Sequence, residues 1–227
     1  REAVTLIRAL MRGEEVDFQG RTVEFKGGAL NFPPLRPDLP IYIASNSPLG
    51  LKLAGELADG AIISSCATRT TVDYSLGIIS EGASRTGRAI AAIDRVARLN
   101  CCIAADSQEA LQGVRMSAVR SLSTYTRFAI AAGLEVTPDL IDAVAQLGYT
   151  HDTQKLESLA KQAPDDLIRD ATLAGTVEEV SAKVVSMIES GITQVTIRAS
   201  ATPHQGIATT LETFATQVMP QVREQLR

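Results

Sequence analysis

Residues Pro40–Ser65 read PIYIASNSPLGLKLAGELADGAIISS. Pro40-Ile41-Tyr42-Ile43-Ala44 is a short apolar run, rich in β-branched and aromatic residues and opened by a proline, which predicts a buried strand. Ser45-Asn46-Ser47-Pro48 breaks that run. Pro48 suits the first turn of a helix, and Leu49, Leu51, Leu53, Ala54 and Leu57 follow at spacings that put most of them on one face. Asp59-Gly60 ends the helix, and Ala61-Ile62-Ile63 starts a second strand. The unit is βαβ, so its strands are expected to be parallel with a right-handed crossover.

The loop between strand and helix carries the functional hint. In α/β folds, ligands sit beyond the carboxyl ends of parallel strands, where a helix N-terminus offers free N–H groups and a partial positive charge to an anion. Ser45, Asn46 and Ser47 add side-chain donors there. The same three residue types are also ordinary turn and N-cap formers, so the local pattern leaves both readings open.

Upstream, Arg1 to Met11 has Val4, Leu6, Ile7, Leu10 and Met11 on a helical period, with Gly13 as its stop. Val16 to Phe25 alternates around Gln19-Gly20 and predicts a surface hairpin. Lys26 to Leu39, with its glycines and prolines, reads as an extended connector. The chain opens Arg1-Glu2-Ala3-Val4 without an initiator methionine, which reads as a piece of a longer polypeptide.

Downstream the rhythm repeats. Thr70 to Thr86 is expected to be a helix facing inward through Val72, Leu76, Ile78 and Ile79. Arg95 to Ala104 is a strand, followed by a helix that Asp106-Ser107 caps. From Ala110 to Leu173 the pattern is helical but broken near Gly133, Pro138, Gly148 and Pro164. That is too long for a simple crossover and reads as a helical insertion within a single domain over 1–227. Thr176 and Glu179 form a capping box for a helix with Val180, Val184, Met187 and Ile188 inward. Gln194 to Arg198 is the last strand, and Ile207 to Gln225 a final helix with Leu211, Phe214, Val218 and Val222 inward. Four strands, each followed by helix, make half of an eight-stranded parallel barrel.

Composition narrows the partners. With 45% hydrophobic and 21% charged residues and a net charge of −4, the 227-residue chain gives no electrostatic case for nucleic acid or an anionic membrane. An aromatic content of 4% without tryptophan argues against base stacking. Cys66, Cys101 and Cys102 match no zinc-ligand spacing and predict reduced thiols in a cytoplasmic protein. No metal site is expected. His151 and His204 have no partnered acid or nucleophile in sequence, so neither reads as a triad member.

Three stretches carry a resemblance: REAVTLIRALMRGEEVDFQGRTVEF at the start, PIYIASNSPLGLKLAGELADGAI in the middle and AGTVEEVSAKVVSMIESGITQVTI near the end. Together they resemble the bacterial luciferase-like oxidoreductases of the luciferase-like monooxygenase superfamily. Within them the likeness is to the methylenetetrahydromethanopterin reductase type, which uses the deazaflavin coenzyme F420. The Ala54-Gly55-Glu56-Leu57-Ala58-Asp59-Gly60 segment is more specific for the superfamily than for any substrate.

The resemblance implies a (β/α)8 TIM barrel, of which this chain is the C-terminal part, with the cofactor across the C-terminal strand ends. It implies that the loop Ala44, Ser45, Asn46, Ser47 and Pro48 meets the cofactor's phosphate-bearing tail. Ser64, at the end of the next strand, joins the candidate cofactor-binding residues. Arg198 stands where the reductases carry a glycine-rich ending; it is a candidate partner for an anionic cofactor or substrate, or else a solvated strand end. The implied activity is hydride transfer between F420 and a small organic substrate, with a homo-oligomeric enzyme as the expectation. FMN as cofactor, in a monooxygenase, and a non-catalytic degenerate barrel relative are the alternatives. Because hydride chemistry belongs to the cofactor, no catalytic residue is assigned, and Glu56 reads as structural.

Overall fold

The computed structural model describes residues 1–147 and 152–227. Helix α1 (Glu2–Met11) leads into an antiparallel hairpin of β1 (Val16–Gln19) and β2 (Glu24–Gly28). The Glu2 carboxylate ties the two together. It accepts from the Thr22 hydroxyl at 2.6 Å and from the N–H groups of Arg21, Thr22 and Val23. Those bonds, the Thr22 hydroxyl foremost, hold its pKa down to about 2.

The alternating part follows as β3 (Tyr42–Ala44), α2 (Pro48–Leu57), β4 (Gly60–Ser64), α3 (Arg69–Arg85) and β5 (Asp94–Ile103). Four helices come next: α4 (Ser107–Ala131), α5 (Pro138–Leu147), α6 (Thr153–Gln162) and α7 (Asp165–Ala171). The expected break near Gly148, like His151, lies outside the described residues. Then come β6 (Thr172–Gly175), α8 (Val177–Glu189) and β7 (Gln194–Ala199), and a last helix made of α9 (Ile207–Thr213), a π turn over Phe214–Val218, and α10 (Met219–Gln225). Pro220 explains the π turn: it has no N–H to return to the preceding turn.

All pairings in the main sheet are parallel. Val96, Ala97 and Arg98 of β5 pair with both β4 and β7, which places those two strands on opposite sides of β5. The run β3-β4-β5-β7 is therefore the sequential order of neighbouring barrel strands. β6 differs from expectation. Thr172–Gly175 falls where the sequence reads as the end of a helical region, but it pairs with Asn100–Ile103 beyond the end of β4. Four residues are too few to show a period of two, and only the free edge of β5 makes them a strand.

Register gives the sheet two chemically distinct faces. Odd-numbered Ala61, Ile63, Ala97 and Leu99 are buried in one core with Leu51 and Ala54 of α2 and Val72, Leu76 and Ile79 of α3. Even-numbered Ala44, Arg98, Gln194, Thr196 and Arg198 are exposed. Near the end of β5 helix α4 reaches the even face, where Asn100 donates to Ser117 O at 3.2 Å and a Cβ on Gly113 would strike Cys102 Sγ.

Helices α2 and α3 touch backbone to backbone. A Cβ on Gly55 would lie 2.1 Å from Ile79 O, and one on Gly82 would lie 2.1 Å from Lys52 O. The rest of the Ala54–Gly60 segment locks the N-terminal ends of the strands: Asp59 accepts from Ile41 N–H at 2.8 Å and from Arg8 at 3.0 Å. Glu56 forms ion pairs with Arg1 and Arg85. In the last helix, Val218 and Val222 are inward as expected, but Leu211 is 48% exposed. Buried Thr210 takes the inward position, bonded to Ser200 O at 2.9 Å. The wider π turn keeps Thr210, Phe214, Val218 and Val222 in one line four residues apart.

Candidate functional site

The site lies at the C-terminal ends of β3 and β4 and is assembled by extending their ladder past the strands. Ser45 N–H donates to Ile62 O at 3.1 Å, the last ordinary rung. Asn46 then supplies the next rung with its side chain. Its Nδ2 donates to Ser64 O and its Oδ1 accepts from Ser64 N–H, both at 2.9 Å. Asn46 is buried and spends its amide on this clamp. Its contribution to the loop is placement.

The clamp fixes the turn into α2. Ser47 is the N-cap, its hydroxyl accepting from Gly50 N–H at 3.1 Å, and Ser45 Oγ accepts from Ser47 N–H at 3.1 Å. Pro48 has no N–H, so Leu49 carries the first-turn amide with no acceptor among the described residues, at a position 83% exposed. Gly50 makes room: a Cβ there would meet Ser45 Oγ at 2.1 Å. The result is an open helix N-terminus with three small residues folded closely beneath it, an arrangement suited to an oxyanion.

Beside it, Ser65 is the one non-glycine among the described residues with positive φ, at 58°. It is 4% exposed, its N–H continues the β4–β5 ladder to Arg98 O at 3.1 Å, and its hydroxyl has no partner among the described residues. Strained backbone of this kind gathers at ligand sites.

Ser45, Asn46, Ser47, Pro48 and Ser64 are thus brought together, and Ala44 sits exposed on the even face just below them. Arg198 is on the same face at the far edge, three strand spacings or roughly 14 Å away. It belongs to a different part of the mouth. His204 is exposed, in a loop stitched by Thr202, whose hydroxyl donates to Glu109 at 2.6 Å and accepts from His204 and Gln205 N–H. Its imidazole has no hydrogen bond or ion pair to an acid or nucleophile among the described residues. Three residues escaped sequence reasoning: Gly50, Ser65 and Arg98. Only Arg98 left a signal, as a cation in phase with Val96 and Asn100 within an apolar strand. No group of three or more potential metal ligands is found among the described residues, and none of their helices is long and apolar enough to cross a membrane.

The family described as luciferase-like monooxygenase matches residues 1–194. The chain is 28% identical over 196 residues to the 5,10-methylenetetrahydromethanopterin reductase of Archaeoglobus fulgidus, covering 86% of this chain and 58% of the reductase. It is 34% identical over 137 residues to an F420-dependent glucose-6-phosphate dehydrogenase of Nocardia farcinica, covering 60% of this chain and 40% of the dehydrogenase. In structure it superposes with a TM-score of 0.74 on the coenzyme F420 dependent tetrahydromethanopterin reductase from Methanopyrus kandleri, covering 95% of this chain and 60% of that one at 20% identity. This shows the expected α/β fold of the luciferase-like barrels. The chain spans about three-fifths of the length of these two reductases.

Proposed function

The chain belongs to the luciferase-like monooxygenase family, and on that premise we propose that it supplies part of the site of an F420-dependent oxidoreductase acting on a small organic substrate. The observation that carries the proposal is the open α2 N-terminus, held in place by the Asn46–Ser64 clamp at the carboxyl ends of β3 and β4. A Cβ-free cradle at Gly50 and a Leu49 amide with no acceptor among the described residues fit a phosphate. Ser45, Ser47, Leu49 and Gly50 would hold the cofactor's tail, with Ser64 and Ser65 alongside. When bound, the deazaflavin supplies the hydride chemistry; these residues bind and orient. The relatives' names favour F420 over FMN, and the cradle itself accepts the phosphate of either. A cytoplasmic location and homo-oligomerisation belong to the same proposal.

Ser47→Asp separates binding from folding. Aspartate is as good an N-cap as serine, so the helix keeps its start, while a carboxylate now occupies the phosphate's place. F420 and FMN are titrated separately into the chain and followed by fluorescence. The expected result is F420 binding by the parent and at least about tenfold weaker binding by Ser47→Asp at unchanged unfolding midpoint. Equal affinity in both would remove α2 from the cofactor site. Binding of FMN alone would shift the assignment to a flavin enzyme.

A further inference from the structure

We propose that Arg98 and Arg198 form a two-guanidinium seat for an anionic group, phosphate or carboxylate, on the organic substrate. The proposal rests on the cofactor assignment above, which places the substrate at this end of the sheet. Arg98 pairs in register with Thr196, and Arg198 with Asn100, so the two arginines stand diagonally on adjacent strands of the same even face. That separation is about 7–8 Å, within reach for two long side chains converging on one ligand.

Both guanidiniums are exposed and neither has an acceptor among the described residues. This sets them apart from other arginines near the sheet. Arg95, on the odd face, donates to the carbonyls of Gly191, Ile90 and Ile93, and Arg88 to those of Gly55 and Ala58. Among the described residues, the one acid on the even face of the main sheet is Asp94. It lies four residues below Arg98, roughly 13 Å along the strand. It is already bonded by the Tyr42 hydroxyl and by Gln194 at 3.2 Å. Two neighbouring cations with no counter-charge bonded to them among the described residues repel each other, and a shared oxyanion removes that repulsion while accepting from both forks. Ser64 and Thr196 flank Arg98 in register, and their hydroxyls have no partner among the described residues.

The two anion sites are separate. One strand spacing lies between Ser64 and Arg98, and two between Ser64 and Arg198. The cofactor's phosphate at α2 therefore leaves the β5–β7 side of the mouth for a second anion.

The test uses the 227-residue chain with inorganic phosphate as probe, read from the Arg Nε–H resonances by NMR. Saturable, salt-sensitive shifts of both Arg98 and Arg198 are expected. Arg98→Gln and Arg198→Gln should each weaken phosphate binding about tenfold, and Arg223→Gln, remote on α10, should leave it unchanged. F420 titration of the double variant then distinguishes the two assignments, because F420 affinity is expected to survive. Absence of phosphate shifts at both arginines, or equal affinity in the single variants, overturns the seat. Loss of F420 together with phosphate overturns it as well, by giving the arginines to the cofactor. Phosphate shifts without any F420 binding would uphold the anion seat and sink the cofactor assignment alone.

Discussion

The side-chain amide of Asn46 and the backbone of Ser64 exchange two hydrogen bonds of 2.9 Å, so a loop residue pairs as though it were the next rung of the β3–β4 ladder. The amide is the one small side chain that offers a donor and an acceptor in the geometry of a peptide group. Asn46→Ala leaves the Ser64 N–H and carbonyl unpaired at a part-buried place and is expected to destabilise the chain by about 1–3 kcal/mol in urea unfolding. Asn46→Asp keeps the acceptor but faces the Ser64 carbonyl with a carboxylate, and it should not recover that loss. An unchanged midpoint for both variants would mean that the clamp contributes nothing.

The close approach of α2 and α3 makes a second prediction. Gly55→Ala and Gly82→Ala each drive a methyl into the facing helix backbone, where no rotamer change can relieve it. Each is expected to cost about 1–3 kcal/mol or more by the same measurement. The double variant should lose less than the sum, because one separation of the helices accommodates both methyls.

Ser65 offers a change of opposite sign. Ser65→Gly relieves a positive φ of 58° but frees the unfolded chain, for a net gain of up to about 1 kcal/mol. If the Ser65 hydroxyl serves the cofactor, F420 affinity falls as the unfolding midpoint rises. A midpoint that drops would show that the strain account is wrong.

Glu179 predicts a pH dependence. Its carboxylate accepts from the Ser107 hydroxyl and from Thr176 N–H at 2.8 Å, which lowers its pKa, the Ser107 bond foremost. A carboxyl whose folded pKa is depressed stabilises above its unfolded value of about 4.3, and the gain is lost as pH falls through the folded pKa. The stability difference between the parent and Glu179→Gln should thus be present at pH 7 and shrink below about pH 4. A difference independent of pH would assign the effect to packing.

Thiol chemistry is the last check. Burial pushes Cys66 and Cys101 up to about 12 and raises Cys102 as well. Iodoacetamide at pH 8 should leave all three unmodified in the folded chain and label three in urea, counted by mass spectrometry. Fast native labelling at any of them would contradict its burial.

Local patterns sufficed for much of this protein. The run at Ile41–Ala44, Pro48 after three small polar residues, the Thr176–Glu179 capping box and the prolines of 26–39 all act over a few bonds, so caps, turns and the strand-helix rhythm can be read residue by residue. The α2 N-terminus was legible as a helix start after three small polar residues, and so as a candidate anion site, for the same reason. Contacts between distant segments decided the rest. Thr172–Gly175 is a strand because β5 has an open edge, and Leu211 is exposed because a π turn resets the last helix. Asn46 is a clamp because Ser64 lies beside it, and Arg98 stands diagonally across from Arg198 because β5 and β7, about a hundred residues apart, pair in one register. Sequence spacing encodes which residues are neighbours along a helix or strand; register and packing, set by burying the odd face of the sheet, encode which ones meet across it.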